Sequence, residues 1–575
     1  MESIGTRPSV SQLAGTNRPL WAARVIATFT ICLAISSTPT IARSAEPVHR
    51  EIDRIVLAQA GGPVAERSTD AEFLRRIRLD FAGTIPTADK TRNFLADANP
   101  RKRIELIDRL LAAPEYARRM QQAITVMLLE RRAGKLVSDS DWNQFLRASF
   151  AENKPWDRLV RDIVLADGGD DKTHAAVRFF VDGGRNSHHQ MTQDVARLFL
   201  GMNILCAQCH DHPTIDDYKQ SDYFGLFAYL SQSKLHTKSP NMRPYLAETP
   251  AKMKIDFQSV FSPEDKQSIG PRLPGGKEVA VLTFEKGQEL AKPAADGLPA
   301  VPKFQPRILL ADDLTSPENS RFVRNGVNRF WFLMMSRGLV HPLDLDHAAN
   351  PPSHPELLDF LAREFVAHKF DVKWLLREIA LSDTYQRSSL LPEGVAAKDA
   401  PAKSFRVFNT RSLSPEQMAF SLMQATGHLA KIQAAKVPET SEFTVKDYIS
   451  GKIAEPPSNL PDALKVFAAI FGSPPGEPED EFAPSMGQAL FLSNEKLVLG
   501  WLKPANENLV DRLGKLQADD AVAEELYLSV LTRTPVEEER LELAAYLKKH
   551  TQRRTEALTE LAWALLTSTE FRLNH

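Results

Sequence analysis

Cysteine is scarce. The 575-residue chain has three, and one of them, Cys32, lies in an N-terminal stretch that reads as a removable leader. Two remaining cysteines cannot form the disulfide framework that holds small secreted domains together, so apolar packing must do that work. An excess of either charge is also missing, with 71 Lys and Arg against 73 Asp and Glu. That balance excludes a polyanion binder acting through bulk charge and gives no ground for a nucleic-acid partner. Beyond the leader no apolar run approaches the roughly 20 residues that a membrane-spanning helix needs. The chain has no GxSxG elbow, no P-loop, no GxGxxG after a strand and no HExxH, which removes the familiar serine-hydrolase, nucleotide and zinc-protease devices.

The leader has three parts. Arg7, Arg18 and Arg24 precede an eleven-residue apolar run from Val25 to Ile35, and small residues follow around Ala42, Ser44 and Ala45. The run is too short to span a bilayer but suits a signal-peptide core of about 7–15 residues. We expect residues 1–45 to be a signal peptide cleaved near Ser44 or Ala45, leaving a periplasmic or secreted protein with no transmembrane span. An uncleaved anchor is the alternative, because Arg43 departs from the small-residue pattern. Cleavage removes four arginines and Glu2, which moves the net charge from −2 to −5. The roughly 530 residues left can bury two or more cores of ordinary size.

Helical periodicity dominates those residues, so the fold class expected is mainly α. Helix starts are marked by capping patterns at Thr69 with Glu72, at Ser414 with Pro415 and Gln417, and at Thr534 with Pro535 and Glu537. In RKRIELIDRLLAAPEY, Ile104, Ile107, Leu110 and Leu111 share one helical face. From about Lys234 to Pro306 the composition turns to Pro, Gly and Lys, with MKIDF (253–257) and EVAVLTF (278–284) as strand candidates. The expected organisation is a signal peptide at 1–45, a helical domain at 46–233, a linker or small β-containing insertion at 234–306, and a second helical domain at 307–575. The stretch from Glu72 to Arg119 also resembles that from Glu524 to His575. Both run helix, proline loop (Pro86, Pro535), helix, then a helix ending at a Glu-aromatic pair (Tyr116, Phe571), and LLREIALSDTYQRSS repeats the last element at Tyr385.

The chemistry-bearing motif is CAQCH, with Cys206, Cys209 and His210. In an exported chain this spacing suggests covalent c-type haem, two thiolates bonding the vinyl groups and the imidazole reaching the iron. The helical pattern of Val195, Leu198, Phe199, Met202 and Leu205, with a start near Thr192 and Asp194, places the motif at the end of that helix, before Pro213. His188, His189, Met191, His236 and Met242 are candidates for a distal ligand. Zinc held by both cysteines with two of His210, Asp211, His212 or a distant histidine is an alternative, as are a local disulfide and free thiols with no cofactor. A second polar run, HPLDLDHAANPPSHPELLDFL, carries His341, Asp344, Asp346, His347 and His354. It suits metal binding or proton transfer, and equally a plain connection with Asp and Ser as turn and cap residues.

The strings FLRRIRLDFAGTIPT, LIDRLLAAPEYARR, ARLFLGMNILCAQCHDHP, VNRFWFLMMSRGLVHPLD, NPPSHPELLDFLAREFV and STEFRLNH resemble planctomycete exported proteins. Those proteins join a cytochrome-c-like domain (domain of unknown function 1549) to a second planctomycete-specific domain (domain of unknown function 1553). The resemblance implies that Cys206 to Pro213 is the cytochrome-like motif and that His354 stands in the second domain's pattern. Many relatives are similar in carrying an additional small cytochrome c module, which this sequence lacks. The leading expectation is a redox protein with one haem on Cys206, Cys209 and His210 and a periplasmic redox partner. A non-catalytic envelope scaffold with a disulfide or zinc staple, and an exported hydrolase using His341 to His354, are the alternatives.

Overall fold

The computed structural model describes residues 46–182, 187–237, 243–250, 254–280, 282–295, 298–435, 443–450, 452–479, 486–494, 496–505 and 507–575. The leader with Cys32, and Met242, lie outside the described residues. From Pro47 onward the chain forms one compact unit. It is mainly α, and its described strands form only two-stranded antiparallel pairs. Among the described residues no helix is long and apolar enough to cross a membrane.

Apolar side chains gather in two cores. The first takes residues from Ile52 to Leu246 together with Leu310 to Phe408, while the second takes Leu413 to Phe571 with Leu79 and Ile85. Composition divides the chain at 234–306, but the cores divide near residue 410. The reason is the helix Ser320–Met335, which turns Phe322, Val323, Val327, Phe330 and Trp331 into the first core. There Phe330 meets Trp156 edge-on at 5.2 Å.

The helix Asp70–Ala82 joins the cores. Thr69 caps it by accepting the Glu72 N–H, whereas the Glu72 carboxylate turns to Arg76 and to the Ser389 N–H, so the expected capping box is only half formed. Phe73, Leu74, Ile77 and Phe81 enter the first core and Leu79 the second. Arg75 and Arg76 are fully buried and satisfied by main-chain oxygens. Arg75 donates to the carbonyls of Phe571 and Val530, and Arg76 to those of Tyr385 and Arg387. Asp80 accepts from the Tyr385 hydroxyl at 2.7 Å and from the Asn574 amide at 2.8 Å, and it pairs with Arg411. Phe81 also meets Tyr116 edge-on at 6.2 Å, so one helix ties the three related aromatic turns of the sequence into one body.

The repeated units share backbone geometry. Gly83 after the helix Asp70–Ala82 and Thr532 after the helix Asp519–Val530 are both left-handed, at φ 68° and 64°. Four residues later Thr87 and Val536 both stand as N-caps. The second of these helices begins at Glu537 rather than at Thr534, because the left-handed turn absorbs the intervening residues. Val536 has no side-chain acceptor, so only the Glu539 carboxylate, accepting the Val536 N–H at 2.8 Å, completes that cap. The Ser414–Gln417 capping box is complete.

Among the described residues the middle segment carries three small hairpins, Ser233–His236 with Tyr245–Glu248, Ile255–Ser259 with Ser262–Ile269, and Leu290–Lys292 with Val301–Pro302. MKIDF supplies a strand as expected. The described part of EVAVLTF does not: Glu278 pairs with Lys254, and Val279 packs on the first core. The partner strand is instead the polar SPEDKQSI.

Candidate functional site

The motif is approached by the helix His188–Leu200, capped by Ser187, whose hydroxyl accepts the Gln190 N–H. It starts four residues before Thr192 and stops before the cysteines. Gly201 adopts a left-handed conformation at φ 72°, which glycine tolerates at no steric cost. The loop of the second polar run then takes over the chain. Asn203 N–H donates to the Asp344 carbonyl and Asp346 N–H to the Gly201 carbonyl, both at 2.9 Å, and Met202 bridges Leu345. Cys206, Cys209 and His210 thus lie beyond the helix, on a separate single turn Cys206–Gln208. Its Cys206 carbonyl accepts the N–H groups of both Cys209 and His210.

Both thiols are free and exposed. The two nearby imidazoles are set differently. His210 Nδ1 donates to the Asp211 carbonyl at 2.6 Å, so in the neutral ring Nε2 holds an unused lone pair. His212 Nδ1 accepts the N–H groups of Thr214 and Ile215, which spends its lone pair on shaping the turn. Around the thiols stand exposed apolar side chains, Leu205, Val260 and Phe261. Val260 and Phe261 form the tip of the second hairpin, held there by the Val260 N–H bonded to the Cys209 carbonyl at 3.0 Å. The Phe261 ring, 76% exposed, leans on His210 at 45° with centroids 4.8 Å apart. It does not lie flush over the imidazole.

The other expected ligands are placed less favourably. His188 Nε2 donates to the Ser233 carbonyl at 2.6 Å, and Met191 is buried in the first core. His236 lies in the strand Ser233–His236. His189 shares a hydrogen bond with the Tyr223 hydroxyl at 2.7 Å, and burial lowers its pKa, with the neighbouring His188 charge adding to the effect. The Tyr223 hydroxyl is pushed up, mainly by burial and further by the nearby Cys209. Among the described residues no three His, Cys, Asp or Glu side chains converge as a metal-ion site.

The second polar run is brought onto the motif's approach. Asp344 pairs with Arg197 and Arg329, and Arg197 also holds Glu130 and Asp194. Tyr218 sits edge-on to His212 at 5.9 Å and to His347 at 5.5 Å, and its hydroxyl donates to the Asp346 carbonyl. His354 is 2% exposed beside Phe405, with Nδ1 near the Ser353 hydroxyl and its pKa lowered by burial. Sequence reasoning missed Arg197, Glu130, Tyr218, Val260 and Phe261. The one available signal was the apolar pair Val260–Phe261 inside the otherwise polar FQSVFSPEDK.

Residues 51–235 match the family model described as PSCyt2, protein of unknown function (DUF1549). Residues 306–547 match the one described as PSD1, protein of unknown function (DUF1553). The chain carries these two domains in that order; CAQCH lies in the first and the His341–His354 loop in the second. No curated protein and no solved structure matches the chain.

Proposed function

We propose that this chain, joining the two domains of unknown function, is an exported planctomycete redox protein. In this reading residues 1–45 are a signal peptide, and one c-type haem is attached through Cys206 and Cys209 with His210 on the iron. The observation that carries it is the contrast between the two imidazoles. His210 is oriented by a main-chain carbonyl with its Nε2 lone pair unspent, beside two free exposed thiols, whereas His212 is consumed by its turn. A ring nitrogen anchored in this way keeps one orientation and gains basicity at the other nitrogen, as metal-bound histidines do. The exposed Leu205, Val260 and Phe261 supply the apolar contact that a porphyrin face or edge requires.

The bound haem would supply the one-electron chemistry, with its potential tuned by axial ligation and burial. Cys206 and Cys209 would attach it, and the Asp211 carbonyl would hold the orientation of His210. A single ion is a poorer fit, because the two thiols and the imidazole gain no fourth ligand and do not converge. The hydrolase reading is weaker still, since Asp344 is neutralised by two arginines and His354 is walled into the core.

The test is expression with the leader intact in a host with a working haem-attachment system. We expect a Soret band, a single haem retained on a denaturing gel, and an altered iron spectrum in His210→Ala with the haem still attached. A colourless protein with two titratable thiols overturns the proposal and returns the scaffold reading.

A further inference from the structure

Between the two cores lies a cavity of about 430 Å³, away from the CAQCH turn and independent of any haem. One wall is the helix Pro114–Leu129, which presents Arg119, Gln122, Ala123, Val126 and Met127 at successive helical positions. The opposite wall comes from Arg411 to Gln417 and from Ile470 to Glu479. Four arginines and several carboxylates line it, and their pairing is uneven. Arg197 and Arg329 are held by Asp344, Arg411 by Asp80, and Arg131 behind the wall by Glu416 and Glu479.

Arg119 is the exception. It is 7% exposed, its Nε is buried without a partner, and among the described residues it makes no hydrogen bond or ion pair. Its stem packs on Gly83, which fixes the direction of the guanidinium. Burial pushes its pKa down to about 10, with the neighbouring Arg411 charge adding to the effect and the Asp80 and Glu416 carboxylates opposing it, so it stays charged at neutral pH. On the same helix, one turn on, the buried Gln122 side-chain oxygen also lacks a partner, as does the Ser336 hydroxyl at the rim. An unpaired buried cation beside unpaired neutral polar groups is costly unless something completes it.

We propose that this cavity is a binding site for a small organic carboxylate, seated on the Arg119 guanidinium with its apolar body against Val126, Met127, Phe332 and Ile470. A guanidinium offers two parallel N–H groups to a carboxylate, which gives direction as well as charge. A carboxylate matches the planar fork of the guanidinium and adds one charge, whereas a dianionic phosphate would add two to walls that already carry Glu130, Glu416 and Glu479. The volume lies in the range of pockets that enclose small organic ligands.

The test is calorimetric titration of the full chain with benzoate and acetate, against benzamide and acetamide as neutral isosteres. Benzoate is expected to bind saturably at one site, benzamide not at all. Arg119→Gln should weaken benzoate at least tenfold while leaving the thermal midpoint unchanged or raised, because an uncompensated charge has been removed. Ala123→Leu keeps the charge, fills the cavity and should also abolish binding, which covers the case in which Arg119→Gln does not fold. Carboxylates binding no better than their amides, or benzoate bound as tightly by Arg119→Gln or Ala123→Leu as by the wild type, would overturn the proposal.

Discussion

Arg75 donates a hydrogen bond of 2.6 Å to the carbonyl of Phe571, a residue 496 positions away. The guanidinium is fully buried, and burial pushes its pKa down to about 10, yet it remains charged at neutral pH. It stays there because main-chain oxygens at Val530, Phe571 and Leu573 replace its hydration. Replacing it with Met keeps the volume but leaves those acceptors without a donor. Arg75→Met should cost about 2–4 kcal/mol of stability, read as a lower urea midpoint. Arg75→Lys should recover only part of this, because one ammonium cannot reach the same fork of acceptors.

Gly83 and Thr532 make the same left-handed turn with different side chains. A Cβ on Gly83 would sit 3.1 Å from Arg119 Cδ and would add the strain of a positive φ. Gly83→Ala should therefore destabilise by about 1–2 kcal/mol. Thr532→Gly relieves strain at the equivalent position but removes a buried side chain, so thermal melting should show a far smaller change, within about 1 kcal/mol of the wild type.

Asp344 is the carboxylate through which the second domain's loop holds Arg197 on the helix leading to CAQCH. Asp344→Asn leaves the buried Arg329 with a neutral partner, while Arg197 keeps Glu130 and Asp194, and should cost about 3 kcal/mol. Hydrogen exchange should rise chiefly at Gly201 to Leu205 and at Leu345 to Ala348, where the two segments pair. Uniform destabilisation without local acceleration would argue against this docking role.

The pKa of His575 is pushed down to about 4, mainly by burial and further by the Arg75 charge. Below the ordinary value of 6.5 the unfolded chain takes up a proton that the folded chain refuses, so stability falls as pH is lowered. Compared with His575→Gln, the wild type should lose roughly 2–3 kcal/mol between pH 7 and pH 4, and the difference should level off below that. Chemical denaturation at a series of pH values gives this difference curve directly, with the contribution of other titrating groups cancelled.

Much of this is legible in the sequence, in an uneven way. Ile107, Leu110 and Leu111 are buried where their helical spacing put them, and Ser414 caps its helix with Gln417 as its sequence position implies. Both depend on contacts within one or two turns. The burial of Arg75 and Arg76 is not legible in the same way, because the carbonyls that receive them lie more than 300 residues away in sequence. The unpaired state of Arg119 was equally hidden, since it is defined by what four other arginines do with their carboxylates.

The sequence by itself determined that the protein is helical and that two thiols and an imidazole stand within five residues of one another, because both are properties of short range along the chain. It could not say where the helix before them ends. A left-handed Gly201 and main-chain bonds from Asp344 and Asp346, more than 140 residues onward, stop that helix and leave the motif on its own turn. Nor could it say which imidazole keeps a lone pair to give, since that is decided by which N–H or carbonyl the folded backbone brings to each Nδ1. Hydrogen bonds and desolvation act over a few ångströms of space, and only the tertiary structure sets which residues share that space.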